Sequence, residues 1–402
     1  MLLSVFLFQE ESHLTISIQN KAEHCRRLVI LLVTILFALF LIQFNQVEKA
    51  PILTTEGRSF EKAQVIQIIR DNIQEDGSRV GAQTVLLQLN SGAHKGMEVE
   101  ASSSSSYLYG ADCTVGMHVI ANISESNGNM VVTVYSYDRS LVLYAIVALF
   151  LVTLWLIGGR QGINAALGLI FTFVCILFLY LPMLYKGYSP FWAAVLVAAL
   201  TTVVTMYLIG GVSVKTAASI LGTVLGVVIA GVFATVFGYF AKISGYNVSD
   251  IEDLVFVGAK TDIQIGGLLF SGILIAALGA VMDVSMSIAS TISELHETNP
   301  SMNAKALFRS GIHVGKDMMG TMSNTLILAF TGSSINTLIF IYAYDYDYQQ
   351  IINLYSIGIE IIQGISSTMG VILTVPLVSL ISAWMIGRQQ KNCHCQISSD
   401  ML

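Results

Sequence analysis

Long apolar runs separated by short polar breaks organise most of this chain. Spanning the hydrocarbon of a bilayer takes about 20 mostly apolar residues in a helix. Eight segments fit: 28–44, 141–157, 163–184, 190–209, 217–240, 264–289, 318–343 and 365–386. Between the first two the pattern changes. "TVLLQL" (84–89), "HVIANI" (118–123) and "MVVTVYSY" (130–137) are rich in β-branched residues and partly alternate, and "EDGS", "NSGAHKG", "SSSSS" and "ESNGN" punctuate them as turns. About five strands in this length predict a small β-barrel of OB or SH3 size. The chain thus divides into a tail (1–27), an anchor helix (28–44), a β-rich domain (45–140), a seven-helix membrane domain (141–387) and a second tail (388–402).

Composition turns this pattern into a compartment. Of 402 residues, 54% are hydrophobic and 11% charged, against roughly 25% charged in soluble globular chains. The sequence predicts an α-helical polytopic membrane protein of about eight transmembrane helices, with the lipid bilayer as its first partner. Lys21, Arg26 and Arg27 precede the first apolar run, which is longer than a signal-peptide core and has no small-residue cleavage site. It reads as an uncleaved anchor with its N-terminus inside, whereas the opening "MLLSVFLF" is too short to span. Counting onward places Arg160, Lys215, Lys305, Arg309, Lys316, Arg388 and Lys391 on the cytoplasmic side. The outer loops keep Lys186, Lys242 and Lys260 but gather Asp250, Glu252, Asp253, Asp262, Asp345 and Asp347. That bias predicts N-in, C-in, with the β-domain extracytoplasmic. Trp155, Trp192 and Trp384 fall near predicted helix ends, where amphipathic rings settle.

Several chemistries are set aside. Cys25, Cys113, Cys175, Cys393 and Cys395 are too scattered for a disulfide framework, and only Cys113 is expected outside. The β-domain has more acids than bases and no basic patch with interleaved aromatics, which argues against nucleic acid. "GIHVGKDM" (311–318) is one residue short of a phosphate loop and carries Asp317 where Ser or Thr is required. "HETNP" (296–300) has Pro300 where a zinc protease needs its second histidine, and "CHC" near the C-terminus is an incomplete metal site in a tail. No cofactor or metal is expected, and no nucleotide-binding segment would power transport by ATP. "LIGGRQGINAALG" (156–168) and "LIGGVSVKTAASILG" (208–222) echo each other, as duplicated two-span units or chance-similar glycine-rich loops would.

Candidate chemistry lies on the sixth and seventh spans. Residues three and four apart share a helix face. In the sixth, Gly272, Ala276 and Gly279 form a small-residue stripe suited to close helix packing, and Asp283, Ser287, Ser290 and Glu294 continue it. Asp283 is expected against other helices or water. In the seventh, Ser310, His313, Asp317, Thr321, Asn324 and Thr331 lie along one stripe of a helix starting near residue 304, with Pro300 in the preceding turn and Arg309, His313 and Lys316 as a basic flank. A short inner loop could bring Asp283 near Asp317 and Asn324. An intramembrane charge costs at least about 2.5–3.5 kcal/mol and either finds a partner or lines a pathway. Asp283 therefore either locks two helices by bonding a helix end, Arg309 or Lys316, or serves an ion- or proton-linked role. For Asp317, nearer the surface, the packing role is the simpler one.

"TDIQIGGLLFSGILIAALGAVMDVSMSIASTISELHETNP" and "LFRSGIHVGKDMMGTMSNTLILAFTGSS" resemble the YibE/F-like family of bacterial multispanning membrane proteins. The resemblance rests on Gly279 to Asp283, Ser287 to Ser290, Gly315 to Asp317, Met319 to Met322 and Asn324 to Leu326, and extends to "IGGRQG" (157–162). Ala276–Ala277 departs from it where a Gly is expected. The resemblance implies a bacterial cytoplasmic membrane protein and supplies no activity. The leading expectation is a permease-like protein that is not an enzyme, moving an unnamed small solute or ion along the two stripes, with Asp283 as coupling carboxylate and Asp317 and Asn324 beside it. A scaffold assembling with a paralogue or as a homo-oligomer belongs to a different class. An intramembrane aspartyl protease using Asp283 and Asp317 ranks below both, because the Gly-x-Gly-Asp context is missing.

Overall fold

The structure, a computed structural model, describes residues 35–46, 57–75, 79–104, 110–126 and 129–399, with side chains to Arg388 in the final helix. The expected tail 1–27, positions 28–34 of the anchor, Cys25, and the side chains of Cys393, His394 and Cys395 lie outside the described residues. The chain forms two compact units, 51–162 and 1–50 together with 163–402.

In the first unit five strands close into a barrel: β1 (Arg58–Arg70), β2 (Ala82–Leu89), β3 (Glu98–Ser104), β4 (His118–Ser126) and β5 (Asn129–Tyr137), in the order β1-β2-β3-β5-β4. β3 runs parallel to β5, and β1 pairs antiparallel with both β2 and β4. That is a five-stranded Greek-key barrel of OB type, whose closure removes exposed strand edges. Register shifts between Val65 and Gln67 and between Ile68 and Arg70 bend β1 so that one strand can serve two neighbours. Strict alternation fills the interior: Val85, Leu87 and Leu89 of β2 and Val119, Ala121 and Ile123 of β4 are buried. The barrel occupies less than the expected 45–140, and β1 and β3 are the strands whose sequences alternated least with apolar residues.

The second unit is helical. Among the described residues five helices are long and apolar enough to cross a membrane, six if one bent pair counts as a single span. The described part of α1 is Ile35–Phe44. The expected spans 141–157 and 163–184 are one helical run, Ser140–Tyr185, made of α2 (Ser140–Cys175), a π-turn (Ile176–Tyr180) and α3 (Leu181–Tyr185). Its 46 residues are more than twice the roughly 20 that one crossing of the hydrocarbon needs. Gly159 breaks it, with φ 52° and ψ −127°, between the two expected spans. A second irregularity comes from Pro182, which has no N–H to give the Phe178 carbonyl one turn back. Asn45 Nδ2 donates to that carbonyl instead, at 2.6 Å. Lys186 Nζ donates to Phe44 O at 2.7 Å, and Phe37 packs tilted against Phe171 at 5.5 Å between centroids, so α1 is tied to this segment at both levels.

α4 (Pro190–Gly210) starts on a proline at its first turn. α5 (Val214–Ala241) is capped by Ser213, whose hydroxyl accepts from Thr216 N. The short α6 (Ile251–Gly258) leads to α7 (Leu268–Thr298). α8 (Ala304–Ser333), capped by Asn303, begins at the expected residue, and α9 (Ile335–Ala343) follows at a 61° bend. After α10 (Tyr348–Asn353) comes α11 (Tyr355–Ser399), which starts ten residues before the expected span and carries Pro376 inside it.

The close-packed seam belongs to α5 and α11. A Cβ on Gly222 would run into Val378, one on Gly226 into Thr374 and Val281, and one on Gly370 into Ala230. α8 joins the same core through Gly311 against Ser379 and Ile292 and Gly315 against Val375 and Ile288. Without side chains at these crossings the backbones can approach closely, which is how membrane helices gain packing energy in the absence of a hydrophobic drive.

Candidate functional site

α7 has two unlike faces. Leu274, Ala277, Val281, Val284, Ser285, Ile288 and Ile292 are buried. The opposite side carries Gly272, Ala276, Gly279 and Asp283, all exposed, then half-buried Ser287 and Ser290 and exposed Glu294. The stripe therefore follows the expected spacing but points the other way. A Cβ on Gly272 or Gly279 would meet nothing within 4 Å, so these small residues do not form the helix-packing seam expected of them within this chain. The physical reason is competition. The β-branched face of α7 fills the space between α5 and α11 better than a glycine stripe could, and it wins the core.

α8 repeats the arrangement. Its packed side is Leu307, Gly311 and Gly315, whereas His313, Asp317, Thr321, Asn324 and Thr331 are exposed and Ser310 is half-buried. Thr321 donates to Met318 O at 3.0 Å, Thr325 to Thr321 O at 2.9 Å and Thr331 to Ile327 O at 2.8 Å. Their protons are spent on the helix itself, so the stripe presents oxygen lone pairs outward. Among the described residues the carboxylates of Asp283 and Asp317 make no hydrogen bond or ion pair, and neither do Arg309, His313 and Lys316. The expected lock of Asp283 onto Arg309 or Lys316 is not formed within the chain.

A third carboxylate escaped the sequence reading. Glu360 lies in the second turn of α11, inside a membrane-length apolar helix running Tyr355–Arg388. It was overlooked because the predicted span began at 365. The signal was present in "IGIEIIQGI", where a lone acid is set among isoleucines. Glu360 lines a cavity of about 250 Å³ beside the α8–α9 bend, and its Oε2 is buried without a hydrogen-bond partner among the described residues. The bundle interior also holds the hydroxyls of Thr223, Ser285, Ser366, Ser379 and Ser382, which have no partner among the described residues.

Cys113 and Cys175 are both buried and free. Among the described residues no group of three His, Cys, Asp or Glu side chains is placed to hold a metal ion.

The sequence model of the YibE/F-like protein family matches residues 146–388. That stretch contains both stripes, Glu360 and the α5–α11 seam, and leaves out the barrel. No curated protein and no solved structure matches the chain.

Proposed function

Because the chain belongs to the YibE/F-like family, an assignment that fixes a membrane protein without fixing its activity, we propose that it is permease-like and moves a small solute or ion across the bacterial cytoplasmic membrane. The polar stripes of α7 and α8 contribute the route, with Asp283 as the coupling carboxylate and Asp317, Asn324 and Thr321 as neighbouring ligands. One observation carries this reading. Asp283 sits on a membrane-length helix, on the face that the described residues leave uncovered. A carboxylate facing lipid is costly, so that face is covered by water or by another subunit, a second copy or a paralogue. Eight spans in N-in, C-in orientation, with the Gly159 break separating the second from the third and the barrel outside, complete the arrangement. No catalytic residue, cofactor or nucleic acid belongs to this reading. Flux in proteoliposomes tests it: Asp283→Asn and Asp283→Ala are each expected to abolish solute-coupled ion movement. Undiminished flux in both removes the coupling role.

The same exposure favours a second reading, a non-catalytic scaffold in which the stripes are subunit contacts alone. A stoichiometric partner co-purifying with a flux-inactive protein would select it. For the orientation, a membrane-impermeant maleimide on intact cells is expected to spare Cys393 and Cys395.

A further inference from the structure

The break between α8 and α9 carries a chemistry that the stripes do not. A 61° bend separates Ser333 from Ile335, and at the end of α8 the N–H of Ser334 is shared between Phe330 O and Thr331 O, at 3.3 and 3.2 Å, in place of the full ladder of a continuous helix. Those carbonyls are the partially negative end of a 30-residue helix. The cavity beside them is walled by Phe330, Ile361 and other apolar side chains, with Gly364 leaving room, and its oxygens come from Thr331, Ser334 and Glu360. None of the residues lining it is Lys, Arg or His. The hydroxyl proton of Thr331 is taken by Ile327 O, leaving its oxygen free to accept. Glu360 Oε2 is shut away from solvent and has no donor among the described residues. A carboxylate oxygen shut into apolar surroundings is costly unless a positive charge or a donor compensates it.

From these groups we propose that the α8–α9 break is a binding site for a small monovalent metal cation, sodium, held by the carboxylate of Glu360 with the oxygens of Thr331 and Ser334 at the partially negative end of α8. One carboxylate matches one positive charge, whereas a calcium ion needs six to eight oxygens and usually several acids. The volume admits a sodium ion together with several waters, at about 30 Å³ for each water. Discontinuous membrane helices hold coupling cations in this way, with half-helix C-terminal ends turned toward the ion. The site lies on α8, α9 and α11, apart from Asp283, and binding there is read without any flux.

The test uses the purified full-length chain in lipid nanodiscs and a hydrophobic carbodiimide, which reacts with buried protonated carboxyls, with adduct formation at Glu360 followed by peptide mass. If sodium is the ligand, sodium chloride at ten times its dissociation constant slows labelling about tenfold against equal choline chloride, because only the free site reacts. Glu360→Gln removes the adduct and abolishes the dependence of the thermal midpoint on sodium. Thr331→Val, which keeps the carboxyl, weakens the protection. The proposal is overturned if Glu360 labels at one rate in sodium chloride and choline chloride, or if wild type and Glu360→Gln show the same sodium dependence of the midpoint. A failed flux assay with intact protection would sink the permease reading and leave this site standing.

Discussion

The barrel pairs most of its buried polar groups, and the helical bundle leaves many of its own unpaired among the described residues. In the barrel, Gln83 is buried and its amide acts as a piece of strand: Cys113 N donates to Oε1 at 2.8 Å, while Nε2 donates to Cys113 O at 3.3 Å and to Asp71. Ser103 does the same for Ala111, donating to its carbonyl and accepting from its N–H. Asp138 is held down to about 2 by the hydroxyl and N–H of Ser140 and by Lys62, at 3.1 Å. Among the described residues the barrel leaves Glu61 Oε2 and Asn122 Oδ1 without partners, whereas the bundle leaves many more, including Thr223, Ser285, Ser379, Ser382 and Glu360 Oε2. Nearly all buried polar groups in proteins are paired. The barrel therefore reads as a unit built for one fixed shape, and the bundle as one whose interior keeps polar atoms in reserve.

The largest effect expected separates the two small-residue stripes of the bundle. Gly226→Leu forces a side chain into Thr374 and Val281, and overpacking of this kind costs at the upper end of about 1–3 kcal/mol. Gly279→Leu enters open space on the uncovered face of α7 and is expected to shift stability by no more than about 0.5 kcal/mol. Monodispersity after detergent extraction and thermal midpoints read both. Gly279→Leu is expected to change only the oligomeric state, seen by native mass spectrometry. Equal damage from both substitutions would mean that the α7 stripe is packed as tightly as α5.

A smaller pair of substitutions tests the polar contrast itself. Gln83→Ala orphans the N–H and C=O of Cys113 inside the barrel and is expected to cost about 1–3 kcal/mol. Ser379→Ala removes a hydroxyl that satisfies nothing, so the bundle is expected to respond between neutral and about 1 kcal/mol more stable. Should Ser379→Ala destabilise as much as Gln83→Ala, the hydroxyls have partners after all, and the contrast between the units collapses.

How much of this was readable beforehand follows from what periodicity can encode. The apolar runs located the helices, and Pro300 marked the turn before α8, because span length and turn residues are local properties; the Asn303 cap came only with the structure. Spacing also grouped Gly272, Ala276, Gly279 and Asp283 on one face correctly. It could not say which face the fold would bury, since that depends on the competing surfaces of α5 and α11. The alternation in β2 and β4 was visible, but "EVEASSS" of β3 is a strand only because Val99, Ala101 and Ser103 find a closed barrel to point into. Glu360 was missed for a related reason. A hydropathy window ends at a charge, while a helix with a cavity beside it continues through one.

The gentlest prediction concerns pH and sharpens the barrel half of the contrast. His94 joins three parts of that unit: its Nδ1 lies 3.1 Å from Glu61 on β1 and its Nε2 2.6 Å from Glu125 on β4. The hydrogen bond to Glu61 is the main influence and, with the negative charge of Glu125, holds the imidazolium charged to a pH above its ordinary 6.5. A folded value above the unfolded one means that the charged cluster stabilises the barrel fully below about 6.5 and stops doing so as pH rises through the higher folded value. His94→Gln keeps donor and acceptor atoms but cannot titrate. The wild-type midpoint is therefore expected to fall relative to that of His94→Gln between neutral and mildly alkaline pH, with the imidazole signal of His94 in proton NMR titrating over the same range. Parallel midpoint profiles for the two proteins would show that the cluster contributes shape and no pH dependence.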